Sequence, residues 1–143
     1  MPNLERAIAI AVEAHAGQKD RYGAAYILHP LRVMARITTD DDKIVAILHD
    51  VVEDTDWTFD DLRQEGFSEQ LVVALDCVTK REGEAYEDFV KRSAANPIAR
   101  RVKIADLEDN MDIRRNEKLA EKDLERMNKY LRAWQLLTSL KSQ

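Results

Sequence analysis

Cysteine is almost missing from this chain: Cys77 is the single one in 143 residues, so no internal disulfide can staple the fold. It lies in the apolar run 71–78 and reads as a small buried side chain rather than a reactive thiol. Glycine and proline are scarce too, at four and three. That speaks against a turn-rich β protein, while the abundant Ala, Leu, Glu, Lys and Arg favour helix. No apolar run approaches the roughly 20 residues that span a bilayer, and the N-terminus lacks a charged-then-apolar leader. We expect a soluble, cytoplasmic protein with no membrane partner. Excess positive charge is also lacking: 22 Lys and Arg stand against 27 Asp and Glu, a net charge of −5. With its basic residues scattered, the chain has no broad surface for duplex nucleic acid, although a small basic pocket remains compatible with it. There is no repeat or low-complexity tract. The length suits one compact domain, 1–143, that buries roughly two-thirds of its unfolded surface.

What is present is helical periodicity. Leu4, Ala7, Ile8, Ala11, Val12 and His15 recur at helical spacing, predicting a helix over 4–16 that stops at Gly17. His15 falls on its inward stripe and reads as a core histidine bonded to backbone or a polar neighbour, in preference to a metal ligand. The stretch 18–29 has no helical period and reads as a surface loop. Pro30 suits the first position of a helix to about 37, with His29 at its mouth. After the acidic start 38–42, residues 43–52 are apolar on nearly every side, predicting a central buried helix. Thr58 with Asp61 resembles a capping box for a short helix ended by Gly66, and Ser68 caps a helix with Leu71, Val72, Leu75 and Val78 inward. Trp57, Phe59 and Phe67 read as packing residues.

For Lys80 and Arg81, in the charged loop 79–84, a solvated loop and phosphate contact remain open alternatives. A helix over 85–95 turns Phe89 and Val90 inward. Asn96-Pro97 opens another, in which Asp106 follows Val102 by one turn and so points inward, with Lys103 and Asn110 along its edge. Asp109, Asp112, Arg114 and Arg115 read as exposed charges. A last helix, 119–140, would pack through Leu124, Met127, Leu131, Trp134 and Leu137. The whole predicts an all-α bundle of about eight helices.

Four polar groups interrupt the central apolar run: His49, Asp50, Glu53 and Asp54, paired one turn apart if the helix is continuous. Burying unpaired carboxylates is costly, and a divalent cation is one way to compensate. Two imidazoles and two carboxylates, His29, His49, Asp50 and Asp106, suit Mn²⁺ or Fe²⁺, or Zn²⁺ in a tetrahedral site. Glu53 and Asp54 stand where they could orient or deprotonate a bound water.

His29, His49-Asp50 and Asp106 resemble the ligand pattern of the HD superfamily of metal-dependent phosphohydrolases. More narrowly, Tyr26-Ile27-Leu28-His29-Pro30, the run His49 to Thr55 and the run Lys103 to Asn110 are similar to the hydrolase domain of RelA/SpoT-type alarmone enzymes and their small stand-alone relatives. The resemblance implies an all-α HD domain without a synthetase domain, and a Mn²⁺ site at His29, His49, Asp50 and Asp106. It further implies removal of the 3′-diphosphate of (p)ppGpp as pyrophosphate, with Glu53 and Asp54 serving the water. Lys19, Lys103, Asn110 and Tyr130 would contact nucleotide, as would Gln18, which stands where the family's hydrolases usually carry an Arg against the guanine. Ala25 replaces a usual proline. These departures admit another phosphorylated nucleotide as substrate, such as a nucleotide 2′- or 3′-phosphate or NADPH, and a non-catalytic nucleotide sensor is the reading of a different class. The sequence does not specify an oligomeric state.

Overall fold

The computed structural model describes residues 2–140, and among them it has nine α-helices, one 3₁₀ turn and no strand beyond an isolated Lys19–Ala25 bridge. The helices are α1 Leu4–Ala14, α2 Leu28–Ala35, α3 Asp40–Leu48, α4 Val51–Asp54, α5 Phe59–Glu65, α6 Glu69–Cys77, α7 Tyr86–Ala94, α8 Pro97–Asn110 and α9 Glu121–Ser139, with the 3₁₀ turn Ile113–Arg115 before α9. No helix among the described residues is long and apolar enough to cross a membrane.

Local chemistry sets most boundaries. Thr39, Ser68 and Asn96 accept backbone N–H groups at the starts of α3, α6 and α8. Thr58 and Asp61 form the reciprocal capping box at α5, which Gly66 ends in the left-handed conformation at φ 100°. Pro30 is the third residue of α2 rather than its first. The first-turn N–H groups of a helix have no intrahelical partner, so proline costs little there.

α3 is the centre, packed against α1, α2, α6 and α8. Ile44 to Leu48 are all buried, as is Leu71 of α6 and Val102 of α8, while Trp57 and Phe59 close the core's edge. A second cluster, Val90, Leu107, Ala133 and Leu137, joins α7, α8 and α9. Three expectations are corrected. The central helix does not run to residue 52 but breaks after Leu48, which raises the helix count. The α9 stripe keeps Leu137, buried, and Trp134, packed against the second cluster, and adds Ala133, but Leu124 and Leu131 are exposed, because the N-terminal part of α9 flanks a cavity instead of the core. Asp109 is not an exposed charge; it is fully buried.

If α3 is the packing centre, Ile47→Ala should lower the unfolding free energy by about 2–5 kcal/mol in urea denaturation. Val73→Ala, at an exposed position of α6, should change it by no more than about 0.5 kcal/mol.

Candidate active site

The break after α3 is made by a side chain. His49 ends the helix, and its Nδ1–H donates at 2.6 Å to the Ala46 carbonyl, which also accepts the His49 backbone N–H at 3.4 Å. Asp50 follows at φ −103° and ψ 0°, and the chain re-enters a single helical turn carrying Glu53 and Asp54. Nδ1 therefore carries a proton, and Nε2 is buried with no hydrogen-bond partner among the described residues. Asp50 and Asp106 oxygens approach it to 3.1 and 3.3 Å without the alignment of a hydrogen bond.

His29, in the first turn of α2, brings a second imidazole. Its Nε2 lies 2.9 Å from the same Asp106 oxygen and 3.8 Å from Asp50 Oδ2. Asp106 comes from α8, turned inward as its position one turn after Val102 predicts. Ligands bound side by side at about 2.1 Å from one ion stand roughly 3 Å apart, and these separations are of that size. His29, His49 and Asp50 form a site a divalent metal could occupy, and Asp106 adjoins it. The orphaned Nε2 of His49 and the oxygen-rich donor set fit a cation.

Charge gives the same reading. Asp106 Oδ2 receives the Lys103 ammonium at 2.9 Å, and Asn110 donates to Oδ1 at 3.2 Å. Asp50 has the two imidazoles and the Tyr26 hydroxyl, which donates to it. Burial opposes a charge on His29, but hydrogen bonds to Asp106 and Asp109 outweigh it and bring its pKa up to about 9. His49 is likewise raised despite burial, chiefly by Asp50 and Asp106. Burial would push Asp50 up, yet His49 holds it down at about 2. The carboxylates thus draw positive charge into this spot, as protons or as a metal ion.

Glu53 and Asp54 stand at the mouth, one turn on. The Lys80 backbone N–H donates to Glu53 at 3.0 Å, so the 79–84 loop steadies that carboxylate. Arg81 of the same loop turns away to Asp76. Partial burial, then the charges of Asp50 and Glu53, push Asp54 up to about 6, in the range where a carboxylate can exchange protons near neutral pH.

The groups open into a cavity of about 540 Å³. Lys19, Lys103, Asn110 and Tyr130 line it, as does Lys80, for which the sequence left phosphate contact open; Arg21, Arg126 and Lys129, to which the sequence assigned no role, line it too. Gln18 is absent from its lining. Its amide is held between His15, whose Nδ1 lies 2.8 Å from Gln18 Oε1, and the Asp54 carbonyl, to which Gln18 Nε2 donates at 3.1 Å. His15 is therefore the buried histidine with a polar neighbour that its helical position predicts. Cys77 is only partly buried, and burial raises its thiol pKa, so it stays a poor nucleophile.

No family model matches the chain. Over 120 residues it is 33% identical to a guanosine-3′,5′-bis(diphosphate) 3′-pyrophosphohydrolase of Aquifex aeolicus, covering 76% of this chain and 17% of that protein. Over 121 residues it is 35% identical to a GTP pyrophosphokinase of Streptomyces coelicolor, covering 76% of this chain and 14% of that protein. The chain thus spans less than a fifth of the length of these relatives. Its fold superimposes with a TM-score of 0.73 on a metazoan ortholog of SpoT described as hydrolyzing ppGpp, at 22% identity, covering 96% of this chain and 86% of the other.

In protein stripped of divalent ions, a carboxyl ¹³C NMR titration should show Asp54 with a midpoint of about 6. Because this pKa is raised, the contribution of Asp54 to stability is full below its unfolded value and is lost as pH climbs through the folded midpoint. Glu53→Gln removes a neighbouring negative charge and should lower the midpoint; an ordinary aspartate midpoint in the unaltered protein would contradict the reading.

Proposed function

We propose that this chain, which belongs to the RelA/SpoT-type family of HD-domain hydrolases, is a single cytoplasmic hydrolase domain that removes the 3′-diphosphate of (p)ppGpp as pyrophosphate. His29, His49, Asp50 and Asp106 would hold the metal, with Mn²⁺ as the resident ion. The observation that carries the proposal is the meeting of His29, His49 and Asp50, with Asp106 beside the two imidazoles, in a cavity that also has cationic walls. The relatives' names support the substrate, and the imidazole and carboxylate donors support a borderline-to-hard divalent ion.

When bound, such an ion lowers the pKa of water and polarises a phosphoryl oxygen. The chain's own residues supply the rest. Asp54, with its raised pKa, takes a proton from the attacking water, and Glu53, held by the Lys80 backbone, orients that water. Lys19, Arg21, Arg126 and Lys129 counter the substrate's phosphates, and Tyr130 offers an aromatic edge to the nucleotide. Lys103 and Asn110 are engaged with Asp106, so their first service is to steady that carboxylate.

A second reading, hydrolysis of another phosphorylated nucleotide, is favoured by one observation: Gln18 is tied to His15 and the Asp54 carbonyl and so is not free to read a base. The non-catalytic alternative has little to support it, since every group the chemistry needs is present.

The test is turnover of ppGpp by the purified protein with Mn²⁺. Glu53→Gln with Asp54→Asn should lower kcat by about 10²–10⁴ while Mn²⁺ stays bound, and His49→Ala should lose the ion. Undiminished turnover in the double variant would remove the assigned roles. If ppGpp is left intact, comparison of kcat/KM across guanine and adenine 2′- and 3′-phosphates would decide for the second reading.

A further inference from the structure

The two imidazoles at the site are steadied by different acceptors. His49 gives its Nδ1–H to a main-chain carbonyl, whereas His29 Nδ1 lies 2.7 Å from a carboxylate oxygen of Asp109, a residue 80 positions away in sequence and fully buried. A buried carboxylate needs a positive partner, and Arg32 already supplies one, donating to Asp109 through Nε at 2.7 Å and through its terminal nitrogen at 3.1 Å. An ion pair serving packing alone would be complete with that arginine. The added contact to His29 holds a proton on Nδ1 and leaves Nε2, 2.9 Å from Asp106 and 3.8 Å from Asp50, as the nitrogen that would meet an ion. A carboxylate behind a ligating imidazole also makes the ring a stronger donor and stops it turning.

We infer that Asp109 is a positioning residue for His29: it holds the Nδ1 proton and the angle of that ring and so strengthens the hold on the divalent ion, with the two contacts from Arg32 keeping the carboxylate in place. Asp109 is not among the residues that line the cavity. The inference rests on the metal site proposed above.

The fold contains its own control. Asp42 at the start of α3 is equally hidden from solvent and pairs with Arg101 through contacts of 2.5 and 3.1 Å, but it has no histidine behind it and belongs to the opposite end of α3 from His49. The experiment is titration calorimetry of Mn²⁺ into metal-stripped wild type, Asp109→Asn, Asp109→Glu and Asp42→Asn, with thermal melts of each in chelator. Wild type should bind one Mn²⁺. Asp109→Asn should bind it about 10–100-fold more weakly, and Asp109→Glu, which keeps the charge at a changed reach, should fall between them. Asp42→Asn should melt at lower temperature yet bind like wild type. Wild-type affinity in Asp109→Asn, or an equal loss in Asp42→Asn, would overturn the inference. Should Asp109→Asn fail to fold, Asp109→Glu decides: weakened binding supports the role and unchanged binding overturns it. Failure of wild type to bind Mn²⁺ at all would instead overturn the metal site itself, and with it this role.

Discussion

Two carboxylates, Asp50 and Asp106, meet two buried imidazoles at the floor of the cavity, and the rest of the molecule is arranged around the positive charge this meeting demands. In the low dielectric of a helical core, an unneutralised carboxylate is among the costliest groups a chain can bury. Lys103 neutralises part of Asp106, and Arg32 answers Asp109. Among the described residues Asp50 has no such lysine or arginine partner, only the two histidines and a tyrosine hydroxyl. That residue is where a divalent ion would complete the charge balance, and it stands where the central helix stops.

The interruption of the helix and the chemistry of the site are one feature. Had α3 continued through residue 52, His49 would have spent its position on an ordinary helical turn. Instead its imidazole joins its own backbone N–H at the Ala46 carbonyl where the helix ends, which turns its other nitrogen toward Asp106. The following turn, α4, then presents Glu53 and Asp54 to the cavity. On the far side, α8 delivers Lys103, Asp106 and Asn110 at three- and four-residue spacings, and α9 gives up core packing over its first half to bring Arg126, Lys129 and Tyr130 to the cavity wall.

What was legible in the sequence was what local rules decide. Thr58 with Asp61, Ser68, and Asn96 with Pro97 announce helix starts through groups at most three residues apart, and the structure has those caps. The inward direction of Asp106 followed from its distance to Val102. The same spacing, carried three residues further, turns Asp109 inward as well, but treating it as a surface charge hid a partner 80 residues away. The break at His49 was concealed because Val51 and Val52 prolong the apolar run, so periodicity alone cannot register a side chain that caps a carbonyl. Leu124 and Leu131 have core-like spacing yet lie exposed, since a helix flanking a cavity lacks packing partners along that part of its length. Gln18 shows the same limit: its fate depends on His15 and the Asp54 carbonyl, neither of which its own neighbourhood specifies.

The most direct measurement is anomalous diffraction from crystals grown with Mn²⁺. The account predicts a single strong peak lying about 2.0–2.3 Å from Nε2 of both His29 and His49 and from oxygens of Asp50 and Asp106. A peak elsewhere, or density with Asp106 turned away from the two imidazoles, would contradict it.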